Sequence, residues 1–92
     1  KASLEGLTVS LASELAPNIR VNCIAPSLSN SKMASKMLKN PKISEAIAKQ
    51  HPLKRLGEGF DSAALASFLL SEESSWITGQ VIGVDGGRSS VG

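Results

Sequence analysis

Ile77-Thr78-Gly79-Gln80-Val81-Ile82-Gly83-Val84-Asp85-Gly86-Gly87 is an apolar run that closes on a glycine turn. Its counterpart earlier in the chain is Ile19-Arg20-Val21-Asn22-Cys23-Ile24-Ala25-Pro26. The cores of both, 80–84 and 19–25, are short and rich in β-branched residues. That pattern belongs to strands buried on both faces, as in parallel sheets. Pro26 cannot donate to a ladder and marks the carboxyl end of the first strand. Asp85-Gly86-Gly87 turns the chain after the second. The connection between them is long enough for a parallel crossover, which should be right-handed. Two strands alone rarely make a stable sheet, so their edges call for partners.

Working outward, residues 1–16 carry leucines at 4, 7, 11 and 15, one stripe of an amphipathic helix. Val9, Ala12 and Ala16 broaden the stripe. Gly6 costs ~1 kcal/mol inside a helix and suggests that another backbone approaches there. Pro17-Asn18 ends the helix, and no capping box precedes it, as though it were cut open. Residues 27–52 form a long connection with two helical stretches, 31–38 and 42–50, separated by Asn40-Pro41. Met33, Met37 and Leu38 make one apolar face; Ile43 and Ile47 make another. The segment resembles a helical lid. After a linker at 53–59, Asp61 is a candidate N-cap for a helix to about residue 71, with Ala64, Leu65, Phe68 and Leu69 on its buried side. Trp76 and Ile77 are expected to pack the entrance of the last strand. The tail 88–92 reads as mobile.

The chain has 92 residues and fits one small domain at most. Such a chain buries only ~60–65% of its unfolded surface. Aromatics are Phe60, Phe68 and Trp76, with no Tyr, so the core must rest on Leu, Ile, Val and Ala. No apolar run approaches the ~20 residues that span a bilayer, and no signal peptide is visible. Cys23 is the single cysteine, and it fits a reducing, cytoplasmic setting. Seven of the ten basic residues lie between Lys32 and Arg55 with one acid, Glu45. These lysines read as the wet side of small helices. They could also draw an anionic substrate. Nucleic-acid binding is not expected, because no aromatic residue lies among them to stack on bases.

In open α/β sheets, ligands bind beyond the carboxyl ends of the strands. Ala25-Pro26-Ser27 is such an end, and Leu28-Ser29-Asn30-Ser31 follows with hydroxyls, an amide and backbone donors. These groups could hold a phosphate or an amide headgroup; equally, Ser31 could simply N-cap the next helix. His51 precedes Pro52 and is therefore extended; it reads as structural or exposed rather than substrate-touching. Asp85 is expected to organise the Gly86-Gly87 turn. No Cys/His cluster has zinc-ligand spacing.

These blocks together resemble the C-terminal part of a short-chain dehydrogenase/reductase. Lys1-Ala2-Ser3-Leu4-Glu5-Gly6-Leu7 is similar to that family's motif lysine and its continuation. Arg20 to Pro26 is similar to the following strand, Leu53-Lys54-Arg55-Leu56-Gly57-Glu58 to a later linker, and Thr78 to Gly87 to the ending, Thr-Gly-x-x-x-x-Val-Asp-Gly-Gly. The resemblance covers nearly the whole chain except 32–50. It implies an α/β fold: residues 1–92 as the C-terminal portion of one Rossmann-type doubly wound parallel sheet, ordered helix, strand, lid helices, helix, strand. It implies NAD or NADP as cofactor and hydride transfer to or from a small carbonyl/alcohol substrate. Homodimers or homotetramers and no membrane partner are implied as well.

By the same resemblance, Lys1 is the catalytic lysine. It binds the nicotinamide ribose and lowers the pKa of a Tyr one helical turn upstream, since residues at i and i+4 share a face. Ile24, Pro26, Ser27, Leu28, Ser29 and Ser31 line the cofactor site, and Met33, Met37 and Leu38 form the substrate lid. No metal is expected. The chain departs from the family pattern at Ser27, where Gly is usual and where a side chain could crowd the cofactor or change the turn. Ser31 stands for Thr, and Gly59 stands for a common Pro. The Gly-rich phosphate loop, the catalytic Ser and the Tyr are not in these 92 residues, so the chain by itself is expected to be inactive. The alternative is a non-enzymatic oligomerisation piece that uses the leucine-striped helix and the last strand. A third reading is a basic binding module.

Overall fold

The computed structural model describes residues 2–27 and 39–91. Helix α1 (Ala2–Leu15) leads to strand β1 (Cys23–Pro26), helix α2 (Pro41–Lys49), helix α3 (Gly59–Leu69), a 3-10 turn (Glu72–Ser74) and strand β2 (Val81–Val84). The two strands are parallel, with Cys23 opposite Val81 and Pro26 opposite Val84. That is the pairing expected of an α/β sheet. The expected lid helix at 31–38 lies outside the described residues.

The first strand starts later than its apolar run suggests. One backbone bond continues past the strand, from the Gly79 amide to the Val21 carbonyl at 2.8 Å, and side chains supply the other bonds of residues 20–22. The Val21 amide donates to Thr78 Oγ1 at 3.0 Å, Asn22 Nδ2 donates to the Ile77 carbonyl at 3.1 Å, and the Gln80 amide donates to Asn22 Oδ1 at 3.1 Å. These bonds tie residues 20–22 to the entrance of β2, and β1 itself is four residues long.

Helix α1 packs on both strands. Its buried line runs through Thr8 and Ala12, with Leu11 and Leu15 beside it, rather than along the leucine stripe. Leu4 is 50% and Leu7 56% exposed, and Val9 and Ala16 are also exposed. Two four-residue strands offer too narrow a surface to cover a broad apolar face. The close approach expected at Gly6 occurs instead at Gly79. Its φ is +72°, and a Cβ there would lie 3.6 Å from Ala12 Cβ, whereas among the described residues nothing lies within 4 Å of one built on Gly6.

Helix α2 has Asn40 as its N-cap, with Oδ1 accepting from the Lys42 amide at 2.9 Å, and Pro in its first turn. Helix α3 has Glu58 as its N-cap, not Asp61. Asp61 sits at the third helical position and reaches back to accept from the Glu58 amide at 2.7 Å. This is the acidic arm of a capping box. On the presumed buried side of α3 only Leu69 is buried; Leu65 is half-buried, and Ala64 and Phe68 are exposed. The Ser74 hydroxyl, fully buried, donates to the Leu69 carbonyl at 2.9 Å and closes the helix end. Trp76 does not pack the entrance of β2; it is 98% exposed. Ile77 does face that entrance, through its carbonyl. Cys23 is half-buried with a free thiol.

Arg55 grips Asp61 with both guanidinium nitrogens at 2.9 Å. This grip first, and the Glu58 amide second, hold the Asp61 carboxyl at about 2 instead of 3.8. A carboxylate with a depressed folded-state pKa stabilises the fold above its unfolded value and loses that contribution as pH falls toward 2. In the full-length protein, Asp61→Asn should therefore flatten the melting temperature's dependence on pH between about 4 and 2. Parallel melting curves of the two proteins across that window check this.

Candidate functional site

The carboxyl ends of β1 and β2 meet at Pro26 and Val84, and the Ser27 amide extends the ladder by donating to the Val84 carbonyl at 3.2 Å. Beyond Val84 the chain turns on Asp85 as expected. Its Oδ1 accepts from the Gly87 amide at 2.9 Å, and its Oδ2 accepts from the Ser89 amide and hydroxyl. Gly86 and Gly87 have φ of +61° and +87°. A Cβ on Gly87 would press to 3.3 Å from Pro52 Cγ, so both conformation and space favour glycine there.

Pro26 and Ser27 form a ridge between two clefts. One, of about 600 Å³, is lined by Glu5 of α1 and by Ala25, Pro26, Ser27 and Gly83. Glu5 follows Lys1 by four residues in the sequence, so the start of α1 faces the end of β1 across this cleft. The other, of about 390 Å³, lies among Ser27, His51, Arg55, Glu58 and Asp85. Both sizes suit a small ligand or part of a larger one.

His51 is the least expected member of the site. It is 1% exposed. Its Nδ1 lies 2.8 Å from the Ile47 carbonyl and its Nε2 2.9 Å from Ser27 Oγ. A carbonyl can only accept, so Nδ1 carries the proton. Nε2 is therefore an acceptor, and the Ser27 hydroxyl donates to it. The structural reading of this histidine holds and its exposure does not. No spacing rule connects positions 27 and 51; the tertiary fold alone brings them together.

Ile24 is half-buried within β1, Pro26 is exposed at its tip, and Ser27 is half-buried behind it. These three expected cofactor residues fall within four consecutive positions at the strand end. Lys1, Leu28, Ser29, Ser31, Met33, Met37 and Leu38 lie outside the described residues. A nicotinamide group fits what is present: a small apolar ledge at Ala25 and Pro26, with the neighbouring serine hydroxyl already satisfied, can take a flat neutral ring. Among the described residues no group of three His, Cys, Asp or Glu could hold a metal ion, and no helix is long and apolar enough to cross a membrane.

Comparison with known proteins gives one consistent answer. The family model for Enoyl-(Acyl carrier protein) reductase matches residues 1–89. The chain is 44% identical over 91 residues to Dehydrogenase/reductase SDR family member 4 of Homo sapiens, covering 98% of this chain and 33% of that protein. Its fold matches a short-chain dehydrogenase/reductase, a glucose/ribitol dehydrogenase from Brucella melitensis, with a TM-score of 0.85 and 38% identity over 96% of this chain and 35% of that one. It also matches a gluconate 5-dehydrogenase from Burkholderia cenocepacia, solved in complex with NADP and tartrate, with a TM-score of 0.85 and 27% identity over 98% of this chain and 36% of that one. The chain thus spans about a third of the length of the relatives it matches.

Proposed function

This chain belongs to the short-chain dehydrogenase/reductase family, and on that premise we propose that it is the closing portion of an NAD(P)-dependent oxidoreductase. The proposed reaction moves a hydride between nicotinamide and a small carbonyl/alcohol substrate. The observation that carries this reading is the wide cleft in which Glu5 faces Ala25, Pro26 and Ser27. Glu5, in the first turn of α1, faces the strand end that would receive the nicotinamide, and this supports the reading. When bound, the cofactor supplies the hydride acceptor or donor.

The chain's own residues supply the setting. Ile24 and Pro26, with Ala25 between them, offer an apolar strand end; Ser27 offers its backbone, its hydroxyl being held by His51, and Leu28, Ser29 and Ser31 offer hydroxyl and backbone groups to the amide end. Lys1 holds the ribose hydroxyls and keeps a positive charge near the upstream phenol, favouring phenolate. That phenol exchanges a proton with the substrate oxygen. Met33, Met37 and Leu38, within a substrate segment at 27–52, would cover the substrate. We further propose a cytoplasmic homodimer or homotetramer; the exposed Leu4 and Leu7 and the open outer edge of β2 support assembly.

The full-length protein, supplied with NADH or NADPH and a panel of small ketones, aldehydes and alcohols, should show nicotinamide turnover. The 92-residue chain alone, which has no tyrosine, should show none. Absence of turnover and of nicotinamide binding by the full-length protein would count decisively against this function.

A further inference from the structure

The Ser27–His51 hydrogen bond has no part in the hydride transfer just described. We propose that His51 is a positioning residue for the nicotinamide cofactor: it fixes Ser27, at the end of β1, by holding its hydroxyl against the buried imidazole. This inference rests on the oxidoreductase reading above.

Three observations carry it. First, every polar atom of the His51 side chain is committed. Nδ1–H donates to the Ile47 carbonyl at 2.8 Å, and Nε2 accepts from Ser27 at 2.9 Å. With 1% exposure, the ring has no room to choose other partners. Second, Ser27 is anchored twice. Its amide donates to the Val84 carbonyl at 3.2 Å while its hydroxyl is held by His51. The residue after Pro26 therefore has little freedom, although glycine is usual there in the resemblance described. A glycine would offer no such handle; the histidine fixes Ser27 by a hydrogen bond. It also accounts for where the Ser27 side chain goes, which is toward the imidazole.

Third, His51 itself rests on a stitched base. The His51 amide donates to the Ala48 carbonyl at 3.1 Å, the Lys54 amide to the His51 carbonyl at 2.8 Å, and the Leu53 amide to the Gly86 carbonyl at 3.1 Å. Lys54 holds a left-handed φ of 59° to close that turn. A Cβ on Gly86 would lie 3.5 Å from His51 Cβ, so the turn after β2 backs directly onto the histidine. The imidazole thus references the end of β1 to the ends of α2 and β2 at once. A strand end already ordered at Ser27 before the cofactor arrives need not be ordered at the expense of affinity.

Two near-isosteric substitutions in the full-length protein separate this role from simple packing. His51→Gln places its carboxamide where Nε2 stands, keeping an acceptor for Ser27 and losing the bond to Ile47. His51→Asn places it where Nδ1 stands, keeping the bond to Ile47 and losing Ser27. Each loses one hydrogen bond, so their melting temperatures should be similar. His51→Asn should raise the KM for the nicotinamide cofactor about three- to tenfold with kcat within about twofold, whereas His51→Gln stays near wild type. In a Ser27→Ala background the effect of His51→Asn on KM should vanish, as coupling through one bond requires.

Equal KM changes in the two variants, or an effect of His51→Asn that persists without the serine hydroxyl, would overturn the proposal. A wild-type protein inert with both nicotinamides overturns the oxidoreductase reading and takes this inference with it. An active wild type with unsplit variants overturns this inference alone.

Discussion

Lys1→Met in the full-length protein is expected to lower kcat by about 10²–10⁴-fold, the largest loss from any single substitution in this chain. Methionine keeps the length and apolar stem of the side chain and removes only the ammonium. Two consequences follow from the proposed role. The ribose hydroxyls lose a charged donor, which raises the KM for cofactor. The phenol one helical turn upstream also loses the positive charge that favours its ionised form. Its pKa should then rise toward the ordinary value of ~10.

The sign can be checked in both reaction directions. Alcohol oxidation uses phenolate as base, so its rising limb with pH should move to higher pH. Carbonyl reduction uses the phenol as acid, so its falling limb should move the same way. A lysine that served only stability would lower the melting temperature and leave both limbs in place. An unchanged pH profile in an otherwise folded Lys1→Met protein would remove Lys1 from the mechanism.

The parallel pairing of the two strands was legible because both apolar runs are short, rich in β-branched residues and bounded by Pro26 or Asp85-Gly86-Gly87. The Asp85 turn was legible for the same reason: the signal is local, and the carboxylate bonds residues two and four positions on. Local signals also placed α2 within one residue of its expected bounds at each end; the Asn40-Pro41 turn before it supplies its N-cap. Non-local features were not legible. Arg20, Val21 and Asn22 read as strand by composition; Val21 does bond Gly79 through its backbone, but Arg20 and Asn22 are held by side-chain bonds to carbonyls about fifty positions away, which no local pattern announces. The leucine stripe of α1 correctly gave a helix and missed its inner face. Which face is covered depends on the surface opposite, and here that surface admits Ala12 against Gly79. Asp61 looked like a cap because an acid before an apolar run usually is one; three residues earlier, Glu58 starts the helix instead, and Arg55 draws Asp61 back over it. Pro26 and Ser27 were read as the carboxyl end of the first strand from local sequence alone, and they stand there. His51 escaped because its importance lies in a contact with Ser27, and neither residue's own neighbours in sequence announce it.

Arg20→Met should produce the largest loss of stability without touching the chemistry. The guanidinium donates from Nη2 to the Leu69 carbonyl at 2.8 Å and from Nη1 to the Ile77 carbonyl at 3.2 Å, with Ser71 at 3.5 Å. Leu69 ends α3, where exposed carbonyls gather negative charge, so a cation there is favourable beyond the bonds themselves. Hydrogen bonds from charged donors contribute ~1.5–3 kcal/mol each. Removal does not fully orphan the carbonyls, because Ser74 Oγ also donates to Leu69 and Asn22 Nδ2 to Ile77. The expected cost is therefore about 2–3 kcal/mol rather than the sum. It should appear in the full-length protein as a lower urea midpoint at unchanged slope.

Arg20→Lys should recover about half of that, since one ammonium cannot span both carbonyls as the planar fork does. Asn22→Ala combined with Arg20→Met should cost more than the sum of the two, because together they leave the Ile77 carbonyl without either donor. A change below about 0.5 kcal/mol would mark Arg20 as an ordinary surface residue. A full loss would tie the end of α3 to the entrance of β2. The Arg20–Asn22 clasp would then be what sets the register that brings Pro26 beside Val84, and with it the ledge on which the proposed cofactor site depends.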